Sequence, residues 1–578
     1  MSRVTNREIT TLLSNIGDLL EIKGENRFKV LAYRKAADNI ANQGQDLYDV
    51  WAAGDDLQSI EGIGKAIAEK LDELFSTGKL GFWEKLIAEV PESLVEVLAI
   101  PDVGPKLAQS MWLERGLTTV AEVKAAAEAG QLQTLPRMGA KSEARILASI
   151  QALERRQTDR VHLGVAWPAA MRVVAALQAL PEALKVEVAG SLRRMRETIG
   201  DLDFLVATAQ PALIMAAFKT LAEVEEVIAA GETKTSVRFR NGLQADLRCL
   251  EPQHWGAALQ YFTGSKNHNV KIRELAQKQG YSLNEYGLTR ESDGEKLLFD
   301  DEAKLYEFLG LGLIPPTLRE DWGEIEAVLK DALPARLTVD QIKGEVHCHS
   351  TWSDGAASIE AMARTALARG YQYLAITDHS QSLGIANGLT VERLRQQRAE
   401  IEAARDKAPG LQLWHGTEME IKADGSLDYP DEVLAELDFV VASVHTSLRQ
   451  DRETLTRRAL GAIRNPHVKL LGHPTGRLLP DREPGDFDMD AIFQAAAETG
   501  AMLEINASPE RLDLKDAHIR RAVDMGVKLI INCDAHHPDH FNNLHFGIAT
   551  ACRGWATAEH VANTRPLEEF EALLKSDG

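Results

Sequence analysis

Cysteine is scarce in this chain, with four residues in 578, and Cys249, Cys348, Cys533 and Cys552 follow no repeating spacing. That excludes a disulfide framework and a zinc-knuckle pattern, and it predicts a reducing, cytoplasmic setting. Long apolar runs are missing too. The opening Met1-Ser2-Arg3-Val4-Thr5-Asn6 has no apolar signal core, and no stretch is long enough to cross a bilayer, so no membrane partner is expected. Positive charge is in deficit, with 65 Lys+Arg against 86 Asp+Glu. A net charge of -21 excludes a simple basic nucleic-acid binder, so any contact with a polyanion must be local. Residues 101–200 depart from the trend, holding 14 Lys+Arg against 10 Asp+Glu. The length suits about three or four domains with cores of their own.

What is present centres on Gly190-Ser191-Leu192-Arg193-Arg194 and on Gly200-Asp201-Leu202-Asp203-Phe204-Leu205-Val206. Residues 202–206 are apolar and β-prone, which predicts a buried strand. Side chains alternate along a strand, so Asp201 and Asp203 share a face. Two neighbouring carboxylates repel each other, and a divalent cation such as Mg²⁺ removes that repulsion. Read alone, Asp-x-Asp is also what a solvated strand end carries. Residues 237–240 and 243–250 alternate around Asn241-Gly242, a hairpin signal that places Asp246 on a neighbouring strand. Three convergent carboxylates can hold two metals.

Residues 1–86 show helical periodicity and contain Ile60-Glu61-Gly62-Ile63-Gly64-Lys65, a glycine turn that runs into a helix. Glycines admit a ligand close to the backbone, and a helix N-terminus offers phosphate its free N–H groups. The pattern recurs as Ile100-Pro101-Asp102-Val103-Gly104-Pro105-Lys106. A weaker copy, Leu135-Pro136-Arg137-Met138-Gly139-Ala140-Lys141, keeps one glycine. A single copy is also an ordinary tight helix–helix turn. Repetition favours helix-hairpin-helix units that grip nucleic-acid backbone without reading sequence.

Thirteen of the sixteen histidines follow residue 340. There, apolar strand candidates at 373–377, 411–414, 439–444, 468–472, 502–505 and 527–531 alternate with helical segments, predicting a parallel β/α barrel-like domain. His347, His349, Asp378, His379, Glu418, His445, His473, Asp534 and His536 cluster where these strands end. A lone histidine there is usually a core or cap residue. A series of them implies a multinuclear metal site for phosphoester hydrolysis.

Together these motifs resemble the bacterial family X DNA polymerases, in which a polymerase-beta-like core is fused to a C-terminal PHP (polymerase and histidinol phosphatase) domain. The resemblance covers essentially the whole chain. It implies a multidomain α+β and α/β architecture. Residues 1–86 would be a helical 5′-phosphate-binding, lyase-like domain, and 87–150 a second helix-hairpin-helix subdomain. Residues 151–252 would be a nucleotidyltransferase palm, 253–318 a nucleotide-binding subdomain, 319–340 a linker, and 341–578 a PHP phosphoesterase domain built as a distorted β/α barrel.

By that likeness Asp201, Asp203 and Asp246 bind Mg²⁺ (or Mn²⁺), with Asp246 beside the primer 3′-OH. Gly190, Ser191 and Arg194 hold the triphosphate of the incoming nucleotide. The segment Tyr261-Phe262-Thr263-Gly264 packs under its sugar, and Asn269 and Arg273 reach the base edge and the template strand. Lys266 stands where eukaryotic relatives often carry an acid. Arg34, Lys35, Gly62, Gly64, Lys65, Gly104 and Lys106 would contact DNA. Lys70 would be the Schiff-base nucleophile of a deoxyribose-phosphate lyase, which requires a depressed amine pKa. Ala66 occupies a position where relatives often keep a helping lysine, and a surface lysine that binds phosphate is the other reading of Lys70.

The PHP likeness assigns His347, His349, Glu418 and Asp534 to one ion. Glu418 bridges to a second held by His445 and His473, while Asp354, His379 and His536 complete a third. Mn²⁺ or Zn²⁺ suits this mixture of ligands. The implied activity is a 3′→5′ exonuclease, or processing of apurinic sites and 3′ ends. Two other readings make this half catalytically silent or a small-molecule phosphatase. Cys348 is expected to pack away from the metals, with Glu420 and His415 outside the ligand set. The implied partners are gapped or primer-template DNA and deoxynucleoside triphosphates, bound by a monomer in the cytoplasm at the nucleoid.

Overall fold

The computed structural model describes residues 4–41, 43, 45–60, 62–100, 103–135, 138–155 and 160–575. The chain divides into two compact units, residues 1–158 and 159–578.

The first unit is helical. Its opening helix, Asn6–Lys23, starts at a capping box in which Thr5 accepts from the Glu8 amide and Glu8 accepts from the Thr5 amide. Gly24 ends it at φ 84°. Ile9, Leu13, Ile16 and Leu20 recur at helical spacing, and all are fully buried in the unit's core.

The three glycine motifs form one repeated turn. The amides of Ile63, Val103 and Met138 donate to the carbonyls of Ile60, Ile100 and Leu135 at 3.1, 3.0 and 3.1 Å. Gly64, Gly104 and Gly139 then precede the helices Lys65–Thr77, Pro105–Arg115 and Ala140–Arg155. The weaker third copy therefore keeps the geometry. Glu61, Pro101, Asp102, Pro136 and Arg137 of these motifs lie outside the described residues.

In the second unit a five-stranded mixed sheet runs in the order Lys185–Val188, Asp201–Ala207, Gln244–Leu250, Lys234–Phe239, Val224–Ala230. Leu202, Phe204 and Val206 face a core closed by the helices Leu163–Gln178 and Pro211–Lys219. The alternate residues Leu205 and Ala207 pack under Trp255 and Leu259. Asp201 and Asp203 share that second face, beyond the edge of its apolar cover. The hairpin loop is Arg240-Asn241-Gly242. Phe239 donates to the Leu243 carbonyl at 2.8 Å and Gly242 stands at φ 85°, as in a three-residue turn closed by a left-handed glycine.

Helices Trp255–Thr263 and Lys266–Lys278, a three-stranded antiparallel sheet and the helix Glu302–Phe308 follow. Arg319 is fully buried beneath them, within 2.5 Å of Glu302. His268, equally buried, lies 2.7 Å from Glu324 and 2.8 Å from the Tyr306 hydroxyl. The stretch expected as a linker, 319–340, thus carries buried ion pairs and the helix Glu324–Leu329.

From residue 344, seven parallel strands lie side by side in chain order: Gly344–Glu345, Tyr373–Ile376, Gln412–Glu420, Phe439–Ser443, Leu470–Leu471, Met502–Asn506 and Leu529–Asn532. A parallel bridge between Cys348 and Ala535 brings the first strand to the last, so the barrel nearly closes. Tyr373, Trp414, Phe439, Met502 and Ile530 form an apolar layer against the C-terminal helix Leu567–Lys575, where Phe570 stacks on Tyr373 at 4.6 Å. The strand C-termini form the opposite mouth.

Gly62 stands at φ 85°, and a Cβ there would lie 2.6 Å from Asn39 Nδ2, whereas Gly64 has an ordinary φ and open space around it. Gly62→Ala is expected to weaken the turn by about 1–3 kcal/mol and to raise hydrogen exchange across Lys65–Thr77. Gly64→Ala should leave that exchange near the parental level. Equal exchange in both variants would contradict the strained-glycine account.

Candidate active sites

At the palm-like sheet, Asp201 and Asp203 begin the strand that pairs in parallel with Gln244–Leu250, in register Asp203 to Asp246. Asp203 and Asp246 therefore lie side by side on adjacent strands, with Asp201 two residues along on the same face; the three carboxylates do not gather within 4.8 Å of one another. Gly190 lies beside them at φ 59°, and a Cβ there would stand 2.4 Å from Asp203 Oδ2. Only glycine fits. Gly190 and Ser191 open the single helical turn Gly190–Arg193, and the Ala189 amide donates to the Asp203 carbonyl at 2.8 Å.

Burial, with Asp201 and Asp246 alongside, pushes the Asp203 carboxyl up to about 7. Burial also opposes ionisation of Asp246, but Lys234 Nζ at 2.6 Å and hydrogen bonds from Ser236 and Gln244 outweigh it and hold the group below its ordinary value. Lys234 was not among the residues expected. An all-oxygen donor set with one carboxyl reluctant to ionise fits a divalent cation.

Arg194 is engaged elsewhere. Its Nε donates to Glu320 Oε1 at 2.9 Å and its Nη1 to the Thr263 carbonyl at 2.6 Å. That carbonyl ends the helix bearing Tyr261 and Phe262, whose rings meet edge-on at 5.1 Å, and Gly264 follows at φ 68°. Asn269 accepts from Gln260 and donates to the Tyr261 carbonyl, each at 2.7 Å. Arg273 is exposed one turn further on. Tyr261, Phe262, Gly264 and Asn269 thus form one helix–turn–helix, tied to Arg194 through Thr263.

In the barrel, ligand atoms within 4.8 Å of one another group as His349, Asp354, His379 and His536; His347, His349 and Asp534; His347, Glu418 and His473; and His379, Glu418 and His445. These groups draw on nine residues, the nine named from the sequence. The two oxygens of Glu418 face different sides. Oε1 lies 2.8 Å from His473 Nε2 and 3.2 Å from His445 Nε2. Oε2 lies 2.9 Å from His379 Nδ1 and 3.4 Å from His347 Nε2. The sorting departs from the sequence-based one: His349 also joins Asp354, His379 and His536, while His473 and His445, expected on one ion, fall in separate groups with His347 and with His379. The imidazoles of His379 and His536 stack on His349 at 4.3 and 4.2 Å.

Buried carboxylates behind the histidines orient them. Glu504 Oε1 lies 2.7 Å from His347 Nδ1, and Glu504 Oε2 accepts the His473 amide at 2.7 Å. Glu420 Oε2 lies 2.8 Å from His445 Nδ1. His415 Nε2 lies 3.2 Å from Gln397, which donates to Asp378. Cys348 packs into the strand–helix core. Glu504 escaped the sequence reading, although an acid inside the apolar stretch 502–505 was the available signal.

The carboxylates and imidazoles of this cluster shift one another's ionisation. Burial works against ionisation of Glu418, yet His445, His347 and His379 hold it well below the usual carboxylate range. Burial likewise opposes the charge on His379, but Glu418 and Asp354 lift it to about 10. Burial, with His536 and His379 alongside, drives His349 down to about 3. His347 Nε2, His349 Nδ1 and His473 Nδ1 are buried without a hydrogen-bond partner, while His379 Nδ1 and Glu418 Oε2 face each other as an ion pair at 2.9 Å. Orphaned polar atoms cost about 1–3 kcal/mol each, and this mixed nitrogen–oxygen set fits divalent metals.

In the helical unit Gly64, Lys65, Gly104 and Lys106 are exposed at the helix starts, and Lys35 is exposed as well. Arg34 is occupied by Asp18 and Glu21 at 2.5 and 2.6 Å. Lys70 donates to the Ala66 carbonyl at 3.0 Å, with Nζ 4.9 Å from the Phe82 ring centre.

Comparison with known proteins matches residues 258–320 to the DNA polymerase beta thumb family and 345–508 to the PHP domain. Residues 4–80 match a helix-hairpin-helix domain, and 54–114 and 94–152 a SAM-like helix-hairpin-helix tandem. The chain is 40% identical over 571 residues, 98% of its length and 99% of the relative's, to the DNA polymerase/3'-5' exonuclease PolX of Bacillus subtilis (strain 168). It is 30% identical to a probable phosphatase of Thermoanaerobacter sp. (strain X514) over 203 residues, covering 33% of this chain and 78% of the relative. A probable phosphatase of Caldanaerobacter subterraneus subsp. tengcongensis is 29% identical over 36% of this chain and 80% of its own length.

Asp203 yields a pH prediction for protein stripped of metal with chelator. Its folded pKa of about 7 lies above the ordinary 3.8, so between those values the folded state keeps a proton that the unfolded chain has lost. Stability therefore falls as pH rises through that window. Asp203→Asn is expected to be more stable than the parent by about 2–4 kcal/mol at pH 8, with the gap closing towards pH 4. Urea unfolding across this range checks it, and a pH-independent gap would refute the assignment.

Proposed function

The chain belongs to the family X DNA polymerases that carry a C-terminal PHP domain, and on that premise we propose a DNA polymerase that fills short gaps during repair and trims 3′ ends from its barrel. The observation that carries the polymerase reading is the register of Asp203 with Asp246 beside Gly190, a left-handed glycine whose Cα lies close against the Asp203 carboxylate. Residues 151–252 serve as palm, 253–318 as nucleotide-binding subdomain, 1–150 as DNA-gripping helical segments and 341–578 as the processing domain.

Asp201, Asp203 and Asp246 hold Mg²⁺ or Mn²⁺, and the nine barrel ligands hold up to three Mn²⁺ or Zn²⁺ ions. When bound, such cations neutralise charge that builds on phosphoryl oxygens. The chain's own groups do the positioning. Ser191 and Arg194 grip the triphosphate, while Tyr261, Phe262 and Gly264 floor the sugar. Asn269 and Arg273 steer base and template, and Lys234 keeps Asp246 ionised beside the primer terminus. In the barrel, Glu504 and Glu420 turn the Nε2 atoms of His347 and His445 towards the cluster.

Gly62, Gly64, Lys65, Gly104 and Lys106 present amides and ammonium groups to DNA phosphates, with Arg34 and Lys35 on the neighbouring helix. Lys70 joins this surface, and its lyase role rests on the resemblance alone. Substrates are gapped or primer-template DNA and deoxynucleoside triphosphates, met by a monomer in the cytoplasm. Complete ligands with orphaned nitrogens favour an active barrel over a silent one.

A gapped duplex with labelled primer, assayed with Mg²⁺ or Mn²⁺, tests both halves. Asp203→Ala is expected to reduce extension at least ~100-fold while primer shortening persists. His349→Ala should do the reverse. Extension surviving Asp203→Ala would remove the polymerase assignment. Primer shortening surviving His349→Ala would move the nuclease elsewhere, and turnover of a small phosphate ester without attack on DNA would favour the phosphatase reading.

A further inference from the structure

Arg553 ends the helix Leu544–Arg553 on the barrel side of the second unit and is 3% exposed. Its Nη1 donates to the Arg194 carbonyl at 3.0 Å and to Glu320 Oε1 at 2.9 Å, and its Nε donates to Asp516 Oδ2 at 3.0 Å. The same Glu320 oxygen accepts Arg194 Nε. Arg196 stands 3.9 Å from Glu320 and 3.8 Å from Asp516. Three guanidinium groups and two carboxylates thus join palm, thumb and barrel.

The sharing of one oxygen matters. A carboxylate oxygen divided between two cations holds each less firmly than it would hold one. Arg553 is anchored twice, by Glu320 and by Asp516, and it stays in place if Arg194 moves. Arg194 can then leave for a nucleotide phosphate without stranding Glu320 as an unpaired buried charge, which would otherwise be costly. Without Arg553, Glu320 would have Arg194 as its nearest cation and would compete with the triphosphate for it.

We propose that Arg553, from the PHP domain, is a positioning residue for the polymerase's nucleotide site, holding Glu320 and the Arg194 backbone so that the Arg194 guanidinium is available to an incoming nucleoside triphosphate. This rests on the reading of Arg194 as a triphosphate ligand. It gives the barrel a part in synthesis that its own chemistry does not require.

The test uses the full-length protein, titrating deoxynucleoside triphosphate in gapped-DNA extension and measuring 3′-end shortening in parallel. Arg553→Met is expected to raise KM for the nucleotide ~tenfold, about 1.4 kcal/mol, with kcat within about twofold and shortening unchanged. Arg553→Lys, which keeps the charge and so the fold, should raise KM by a smaller factor. It decides the matter alone if the methionine variant does not fold. Adding Glu320→Gln to either variant should return KM towards the parental value, because the competitor is gone. If Arg194→Ala leaves KM unchanged, the reading of Arg194 itself is wrong. If Arg194→Ala raises KM while both Arg553 variants match the parent, or if synthesis and shortening fall together in them, the proposal is overturned.

Discussion

Negative charge that cannot reach water must be answered by a cation, and both clusters of the second unit are shaped by that demand. Asp203 is caught between Asp201, Asp246 and its own burial, so its carboxyl titrates near neutrality rather than in the acid range. Glu418 is more deeply enclosed, yet it remains ionised because imidazoles surround it on both oxygens. The two sites reach the balance differently. In the palm Lys234 pairs with Asp246 beside a carboxyl that its neighbours hold back from ionising, whereas in the barrel nearby carboxylates lift His379 and His536 to about 10 and 9. A metal entering the barrel displaces protons, and one entering the palm relieves repulsion.

That demand also explains why the surroundings are so exact in shape. Carboxylates gather only if the backbone brings them close, and close approach is where side chains get in the way. Gly190 is the clearest case, because any Cβ would occupy the space of Asp203 Oδ2. In the barrel the layer of Tyr373, Trp414, Phe439, Met502 and Ile530 fills the floor, so the ligands stand on a packed surface rather than over a pore.

Much of this was legible because it is local. Alternation along residues 201–206 put the two acids on one face, and Asn241-Gly242 predicted the hairpin that carries Asp246. The apolar stretches after residue 340 predicted six of the seven barrel strands, and the glycine turns predicted three helix starts, including the copy with a single glycine. What escaped is long-range. Glu504 reads as one acid in an apolar strand, and its purpose appears only when His347, 157 positions away, is laid against it. Arg553 and Glu320 lie 233 positions apart, and no periodicity links them. Charged partners brought together by tertiary packing leave no pattern in either segment.

The palm and the barrel are also less separable than a bead-on-string reading of the chain suggests. Leu512 and Phe546, both from the barrel, belong to the palm's own core, and Pro509 packs so tightly on Gly164 that a Cβ there would come within 2.5 Å. The segment that makes these contacts continues to Arg511, 3.5 Å from Asp534, and to Asp513, whose carboxylate accepts from Thr475 two residues after His473. Packed interiors deform little, so a shift of the palm's helix Leu163–Gln178 would press on the loop that borders two barrel ligands. The ion pair of Arg477 with Glu197 at 2.8 Å ties the same region from the other side. With apolar contact, the ion pair of Arg477 with Glu197 and the Arg553 network all joining the two sheets, synthesis and end processing rest on one continuous scaffold.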